Sequence, residues 1–253
     1  MAFFRSNKQG PEVVIEKEEA TSSAPAFAIA KVFAWMALWL LITTVVALGG
    51  GALMNYLFTS FQSEEVLYGL LGTLIVSAIG IIVLSIIIST KFLKSGKSIL
   101  PLAIVYSILM GVLCSSFVFI IDWYILGAAF GITTLVFGIM TLIALLAKDK
   151  LNGLAIAGMG LAFGALIGSL FMVVVMVFLP QYYEWYYWII TLALLCAVIL
   201  VTIYDIRRIK TLAKQGALTK NLSMYLGFCL YNDFVYIFIK IMEILAKVKV
   251  NNN

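Results

Sequence analysis

Long apolar runs separated by short polar connections fill the chain from about residue 31 to residue 245. A helix that crosses the hydrocarbon core of a bilayer needs about 20 mostly apolar residues. Seven segments reach that length: 31–57, 66–90, 99–121, 125–147, 152–179, 186–206 and 222–245. The alternating pattern of a β-barrel is missing from the sequence, and only closed helical structure otherwise satisfies a backbone in lipid. The pattern therefore predicts an all-α integral membrane protein with seven transmembrane helices.

The seventh segment is the least regular of these predicted spans. Asn232, Asp233, Lys240 and Glu243 interrupt its apolar residues. Polar groups are tolerated at membrane depth where they are buried against protein. Two interpretations stay open at this point: one span buried among other helices, or a re-entrant pair of half-helices.

Among the connections between the seven segments, lysine and arginine occur only in every second one. The connections after the second, fourth and sixth segments contain Lys91, Lys94, Lys97, Lys148, Lys150, Arg207, Arg208, Lys210, Lys214 and Lys220. The other connections contain Glu64, Glu65, Asp122 and Glu184, without any Lys or Arg. Because cytoplasmic loops are enriched in Lys and Arg, this asymmetry predicts a cytoplasmic N-terminus.

The two ends of the chain add to this topology. Residues 1–25 are polar and mixed in charge, so we expect a disordered cytoplasmic tail before a transmembrane domain over residues 26–250. Seven complete spans would place the C-terminus outside. The basic Lys247 and Lys249 near that end argue mildly against an outside position, so the sequence leaves the conflict open.

Composition agrees with a membrane protein and excludes several functions. The chain is 64% hydrophobic and only 11% charged, whereas soluble domains are about a quarter charged. The net charge of +5 is spread through short connections, which does not indicate nucleic-acid binding. There is no histidine, which excludes a histidine metal site or pH switch. The three cysteines lie in apolar segments and are interpreted as small core residues.

Two acidic residues, Asp205 and Asp233, lie at the end of the sixth segment and inside the seventh. A carboxylate at membrane depth is costly and therefore indicates a functional site, although capping a helix or pairing with an arginine would be a structural alternative. Asp205 comes two residues before Arg207, which suggests a shallow position. Asp233 lies about 16 Å into a segment that begins at residue 222. For the two to meet, the sixth helix must extend further or the seventh must begin later.

Small and aromatic residues mark two further features. Gly160, Gly164 and Gly168 recur every four residues, a spacing that places them on one helix face and predicts close packing against another helix. The aromatic residues of 182–188 predict a belt at the outer membrane interface.

Several segments together resemble the Bax inhibitor-1 family, also called the transmembrane Bax inhibitor motif family, and suggest a bacterial member. They are PLAIVYSILMG (101–111), AFGITTLVFGIMTLIALLAKDK (129–150), GLAFGALIGSLF (160–171), YDIRRIK (204–210) and LYNDFVYIFIKIMEIL (230–245). The resemblance implies seven helices with the last one central and wrapped by the other six. It also implies a pH-sensitive calcium leak, with Asp205 and Asp233 as the paired carboxylates that sense pH and line the ion path.

One departure from the family concerns the charge partner of this pair. The family offers a basic residue from the second helix, but residues 66–90 contain no arginine here. Arg207 or Arg208 could take that role. Two carboxylates in contact share a proton and titrate as a unit, and when ionised they offer the hard oxygen ligands that Ca²⁺ prefers. Ca²⁺ is thus expected as a transported ion bound transiently by Asp205 and Asp233, and no resident cofactor is expected.

Two functional hypotheses of different classes follow. The first is a pH-gated leak for Ca²⁺ or another cation. The second is a non-transporting protein that modulates a membrane-bound protease or another membrane protein, as some bacterial members of the family are thought to do. An enzyme is not expected, because the sequence has no histidine and no nucleophile–base pair at recognisable spacing. Membrane lipid is the expected surrounding, in a bacterial plasma membrane.

Overall fold

A computed structural model of the chain describes residues 25–61, 64–95, 98–146 and 152–252. These residues form seven helices: α1 (Pro25–Phe61), α2 (Glu64–Ser95), α3 (Leu100–Ile120), α4 (Trp123–Leu146), α5 (Asn152–Phe178), α6 (Tyr183–Lys214) and α7 (Lys220–Asn252). A 3₁₀ turn, Pro180–Tyr182, precedes α6. No strand occurs in the described ranges, so the all-α prediction is confirmed. The predicted tail over residues 1–25 lies outside them, apart from Pro25.

In the described part of the chain, the six helices α1 to α6 contain stretches long and apolar enough to cross a bilayer. The protein is therefore a multi-pass membrane protein. The seventh helix, α7, is not among these six. It is nevertheless one unbroken α-helix of 33 residues. The alternative of two half-helices is therefore wrong.

α7 buries residues against several neighbours. Its backbone lies beside α1, α4 and α6. Ring contacts join it to two more helices: Phe92 of α2 stacks on Tyr225 with centroids 4.1 Å apart, and Tyr106 of α3 meets Phe228 edge-on at 4.9 Å. Leu230 and Tyr231 are fully buried. The polar residues that lower the hydropathy of α7 are thus carried by a helix that faces protein on most sides.

The connections fall at two ends of the helix bundle. At the first, here called the basic end, the Lys210 ammonium donates to the Leu145 carbonyl and so joins the C-termini of α6 and α4. The stacking of Phe92 on Tyr225 brings the end of α2 to the start of α7 at the same place. The helix ends that flank the lysine- and arginine-rich connections of the sequence therefore meet here.

The C-terminus of α7 lies at the opposite end of the bundle, here called the acidic end because Asp122 and Glu184 lie there. Lys249 forms an ion pair with Asp122 in the α3–α4 connection, and Lys247 lies 3.6 Å from a Glu184 carboxylate oxygen at the start of α6. The hydrogen bond to Asp122 raises the pKa of Lys249, so this lysine keeps its charge. α7 therefore runs from one end of the bundle to the other, and the two lysines that argued against this position are matched by carboxylates there.

Cysteine labelling can test which end faces the cytoplasm. We expect a membrane-impermeant maleimide added to intact cells to label Glu184→Cys at the acidic end and not Lys214→Cys at the basic end. Both variants are made in a chain whose Cys114, Cys196 and Cys229 are replaced by alanine. Labelling at position 214 without labelling at position 184 would show that the predicted orientation is inverted.

Candidate functional site

Asp205 and Asp233 both lie well inside their helices. α6 continues to Lys214, nine residues beyond Asp205, and α7 begins at Lys220, thirteen residues before Asp233. At about 1.5 Å per residue, the two positions lie about 14 Å and about 20 Å from those helix ends. The sixth helix thus extends eight residues past its predicted end at 206. This extension reduces the difference in depth that the sequence indicated to about 6 Å.

The two carboxyl groups lie on adjacent helices, α6 and α7, close enough for one charge to act on the other. The negative charge of Asp205 acts directly on Asp233, and the Thr202 hydroxyl of α6 lies beside the same carboxyl group. The Oδ2 atom of Asp233 is buried and has no hydrogen-bond partner among the described residues. A buried carboxylate oxygen without a partner is costly. The position therefore suits a proton, a water molecule or a cation.

Two residues of α7 that the sequence had not connected with this site lie on the same face as Asp233. Tyr225 and Cys229 precede it by eight and four residues, the spacing of successive turns on one side of a helix. The charges of Asp205 and Asp233 both act on the Cys229 thiol. Cys229 is thus a half-buried neighbour of the pair. Its four-residue spacing from Asp233 was the signal that could have revealed it. The prediction that the three cysteines are core residues is confirmed for Cys114 and is wrong for Cys196, which is exposed.

The second helix contacts the residues around the carboxyl pair through the hydroxyl of Ser89. The Tyr225 hydroxyl hydrogen-bonds with Ser89 of α2 and with the Cys229 thiol. Phe92 of α2 stacks on the ring of the same tyrosine. Ser89 and Phe92 therefore approach the carboxyl groups by way of an α7 side chain.

Of the two arginines considered as charge partners, Arg208 acts on the pair. It lies one turn after Asp205, and its positive charge acts on Asp205 and on the Cys229 thiol. Its side chain is exposed, whereas Arg207 is buried among the helices at 7% exposure. The positive charge that faces the carboxylates therefore comes from α6 itself, on the side of the basic end.

A second polar cluster joins the same two helices near the acidic end. The Tyr187 hydroxyl of α6 donates to the Glu243 carboxylate of α7, and Lys240 lies 2.8 Å from the other oxygen of that carboxylate. Lys247 lies over the Tyr187 ring at 3.8 Å from its centroid. Residues of the predicted aromatic belt thus also hold α7 against α6. The two clusters lie on either side of the helix turn that contains Tyr236.

The glycine face predicted on α5 is placed differently in the structure. Gly168 packs closely on Ile190 and Tyr186 of α6, as predicted. Gly160 and Gly164 are exposed, with no side chain or neighbouring helix within 4 Å of an added Cβ atom, so for them the packing prediction is wrong. The physical reason is that, in the described part of the chain, α5 packs mainly against α6, and Gly158 rather than Gly160 lies at that contact.

No group of three or more His, Cys, Asp or Glu side chains within the described ranges could hold a metal ion. The candidate site is thus two carboxyl groups, a thiol and two hydroxyls between α6 and α7. The class of protein that these features define is a multi-pass α-helical membrane protein with acidic groups buried between its last two helices.

Comparison with known proteins gives the family. Residues 27–250 match the family described as Inhibitor of apoptosis-promoting Bax1, and the chain belongs to this Bax inhibitor-1 family. Inner membrane protein YbhL of Escherichia coli K12 is 30% identical over 226 residues, which cover 86% of this chain and 90% of YbhL. YbhL of Escherichia coli O6:H1 matches with the same values. No solved structure matches the chain. The family resemblance seen in the sequence motifs is confirmed.

Proposed function

We propose that the protein is a pH-sensitive leak for Ca²⁺ or another cation, and that Asp205 and Asp233 lie on its ion path. The observation that carries this proposal is the pair of acidic groups between α6 and α7, one of which has a buried oxygen without a described partner. Carboxylates deep in a membrane protein are expensive and mark ion or proton pathways more often than packing sites. A catalytic role is not part of the proposal.

The chemistry of the pair accounts for sensitivity to both protons and cations. When both groups are ionised, their charges repel, and this repulsion is relieved by a shared proton or by a cation. Ca²⁺ takes about six to eight oxygen ligands, so two carboxylates suit its passage better than its tight retention. Protons and Ca²⁺ would then compete for the same oxygens. The charge of Arg208 offsets part of the negative charge when neither is bound.

The proposal includes a topology. α7 crosses the membrane as the seventh span and lies at the centre of the other helices, with the N-terminus in the cytoplasm. Contacts of α7 with α1, α4 and α6, and the ion pairs of Lys247 and Lys249 at the acidic end, support this arrangement. The E. coli relative is described as an inner membrane protein, which supports the same location here.

A second candidate is a non-transporting protein that modulates a membrane-bound protease or another membrane protein. One feature favours it: among the described residues α5 packs mainly against α6, and only 6% of its most apolar stretch is buried. Such a face suits either lipid or a partner helix. In this case the two carboxylates would have a structural role.

Ca²⁺ flux into liposomes that contain only the purified protein separates the two candidates. We expect flux above that of protein-free liposomes, with a rate that changes between mildly acidic and mildly basic pH. The acid dependence should follow the protonation of carboxylates, because the chain contains no histidine. Flux equal to that of empty liposomes at every pH would refute the leak and favour the interaction protein.

A further inference from the structure

An apolar groove lies between α1 and α4 on the half of the bundle nearer the acidic end. It has a volume of about 320 Å³. Leu40 to Leu48 of α1 form one wall, and Trp123 to Phe130 of α4 form the other. The floor is formed by α3 and by Phe234, Val235 and Phe238 of α7. We refer to it as the α1–α4 groove.

The groove opens sideways rather than toward water. α1 and α4 meet at the Phe33–Phe137 ring contact, with centroids 6.5 Å apart, on the side of the basic end. Nearer the acidic end the groove separates the two helices, and Leu48, Gly127 and Phe130 on its walls are exposed. Both helices carry apolar stretches long enough to cross a bilayer. A gap between them at this level therefore faces the hydrocarbon of the membrane.

The two threonine hydroxyls in the lining are already satisfied. The Thr43 hydroxyl donates to the Ser107 carbonyl and also hydrogen-bonds with the Tyr231 hydroxyl at 2.6 Å. The Thr44 hydroxyl donates to the Leu40 carbonyl. The rest of the lining is hydrocarbon, aromatic ring, glycine and the Cys114 thiol. A space of this kind offers water no hydrogen bonds and favours an apolar occupant.

The end of the groove at the start of α4 has the features of a membrane interface. Trp123, which lines the groove there, follows Asp122 and precedes Tyr124. The Lys249 ammonium bonds to Asp122 and lies 4.9 Å from the centroid of the Tyr124 ring. An ammonium group has three hydrogens, and the Lys249 side chain is 36% exposed, so it can also donate to a phosphate. Aromatic rings and a lysine at this level suit a lipid headgroup.

We propose that the α1–α4 groove binds one phospholipid, with an acyl chain lying on Phe234 and Val235 and the phosphate beside Lys249 and Trp123. The lateral opening admits a chain that is already in the bilayer, and the satisfied lining polar groups leave apolar contact as the only attraction inside. The proposal is independent of ion transport, because it concerns a different face of α7 from Asp233.

A glycine substitution in the groove wall tests the proposal. Gly127 lines the groove, and an added Cβ atom there meets nothing within 4 Å, so Gly127→Phe would fill the space without a backbone clash. Gly138 on the same helix is equally open but does not line the groove, which makes Gly138→Phe the control. Native mass spectrometry of the purified protein should show one retained phospholipid for the parent and for Gly138→Phe, and about tenfold less for Gly127→Phe.

A second measurement on the unaltered chain covers the case in which Gly127→Phe does not fold. Vesicles are prepared with a phosphatidylethanolamine that carries a photoreactive group in the middle of one acyl chain. We expect cross-links on Phe234 or Val235, which are 5% and 4% exposed and can meet an acyl chain only through the groove. Cross-links on α4 and α5 without any on α7 would overturn the proposal. So would equal lipid retention by both glycine variants, retention of detergent only, or a dimer that Gly127→Phe dissociates.

Discussion

Asp233→Asn should remove the dependence of Ca²⁺ flux on mild acid, or reduce the flux sharply, in liposomes that contain the purified protein. The asparagine keeps the size of the side chain and most of its hydrogen bonds but cannot be ionised. Asp205 would then have no like charge across the interface, and the shared proton that makes the pair respond to pH would be lost. Asp205→Asn should have the same effect for the same reason.

The double variant and a distant aspartate sharpen this test. Asp205→Asn combined with Asp233→Asn should do no worse than the worse single variant, because residues that act as a unit are not additive. Asp122→Asn is the matched control, since Asp122 lies at the acidic end in an ion pair with Lys249, away from the pair. If both single variants keep the pH profile of the parent, the carboxylates are structural, and a partner-modulating protein becomes the better interpretation.

Gly227→Leu should prevent the protein from folding. A Cβ atom at this position on α7 would lie 2.7 Å from the Val32 carbonyl oxygen and 2.7 Å from the Trp35 Cβ atom of α1. Backbone cannot yield as a flexible side chain can, so the two helices would have to separate. Overpacking of a tight contact costs about 1–3 kcal/mol even for small additions, and a leucine adds three more carbon atoms. We expect little detergent-soluble protein and a strongly lowered melting temperature.

The control for this variant is Gly164→Leu, on the exposed face of α5. No atom lies within 4 Å of an added Cβ there, and helix propensity favours leucine over glycine. Gly164→Leu should therefore accumulate and melt like the parent. A parent-like Gly227→Leu would mean that α1 and α7 do not approach each other closely at this turn.

The glycines show that spacing in the sequence does not by itself identify which of them pack against another helix. The four-residue repeat on α5 suggested one packing face, but the closest approaches to a neighbouring backbone occur at Gly227 against α1 and at Gly111 of α3 against α1, where an added Cβ would lie 2.8 Å from the Thr43 carbonyl oxygen. Neither glycine belongs to a repeat. A glycine permits close approach wherever it stands, so the neighbouring helix, and not the spacing, determines which glycines are used.

The sequence by itself determined the class of protein, the number and approximate bounds of the helices, and the two acidic residues on which the proposed function depends. It could do so because the thickness of the hydrocarbon core and the cost of buried charge act on each segment alone. Only the tertiary structure decided that α7 is continuous, that α6 extends beyond Asp205 so that its charge acts on Asp233, and that Cys229 and Arg208 interact with the pair. These features depend on which faces of separate helices meet, and that choice is made by packing between segments distant in the chain.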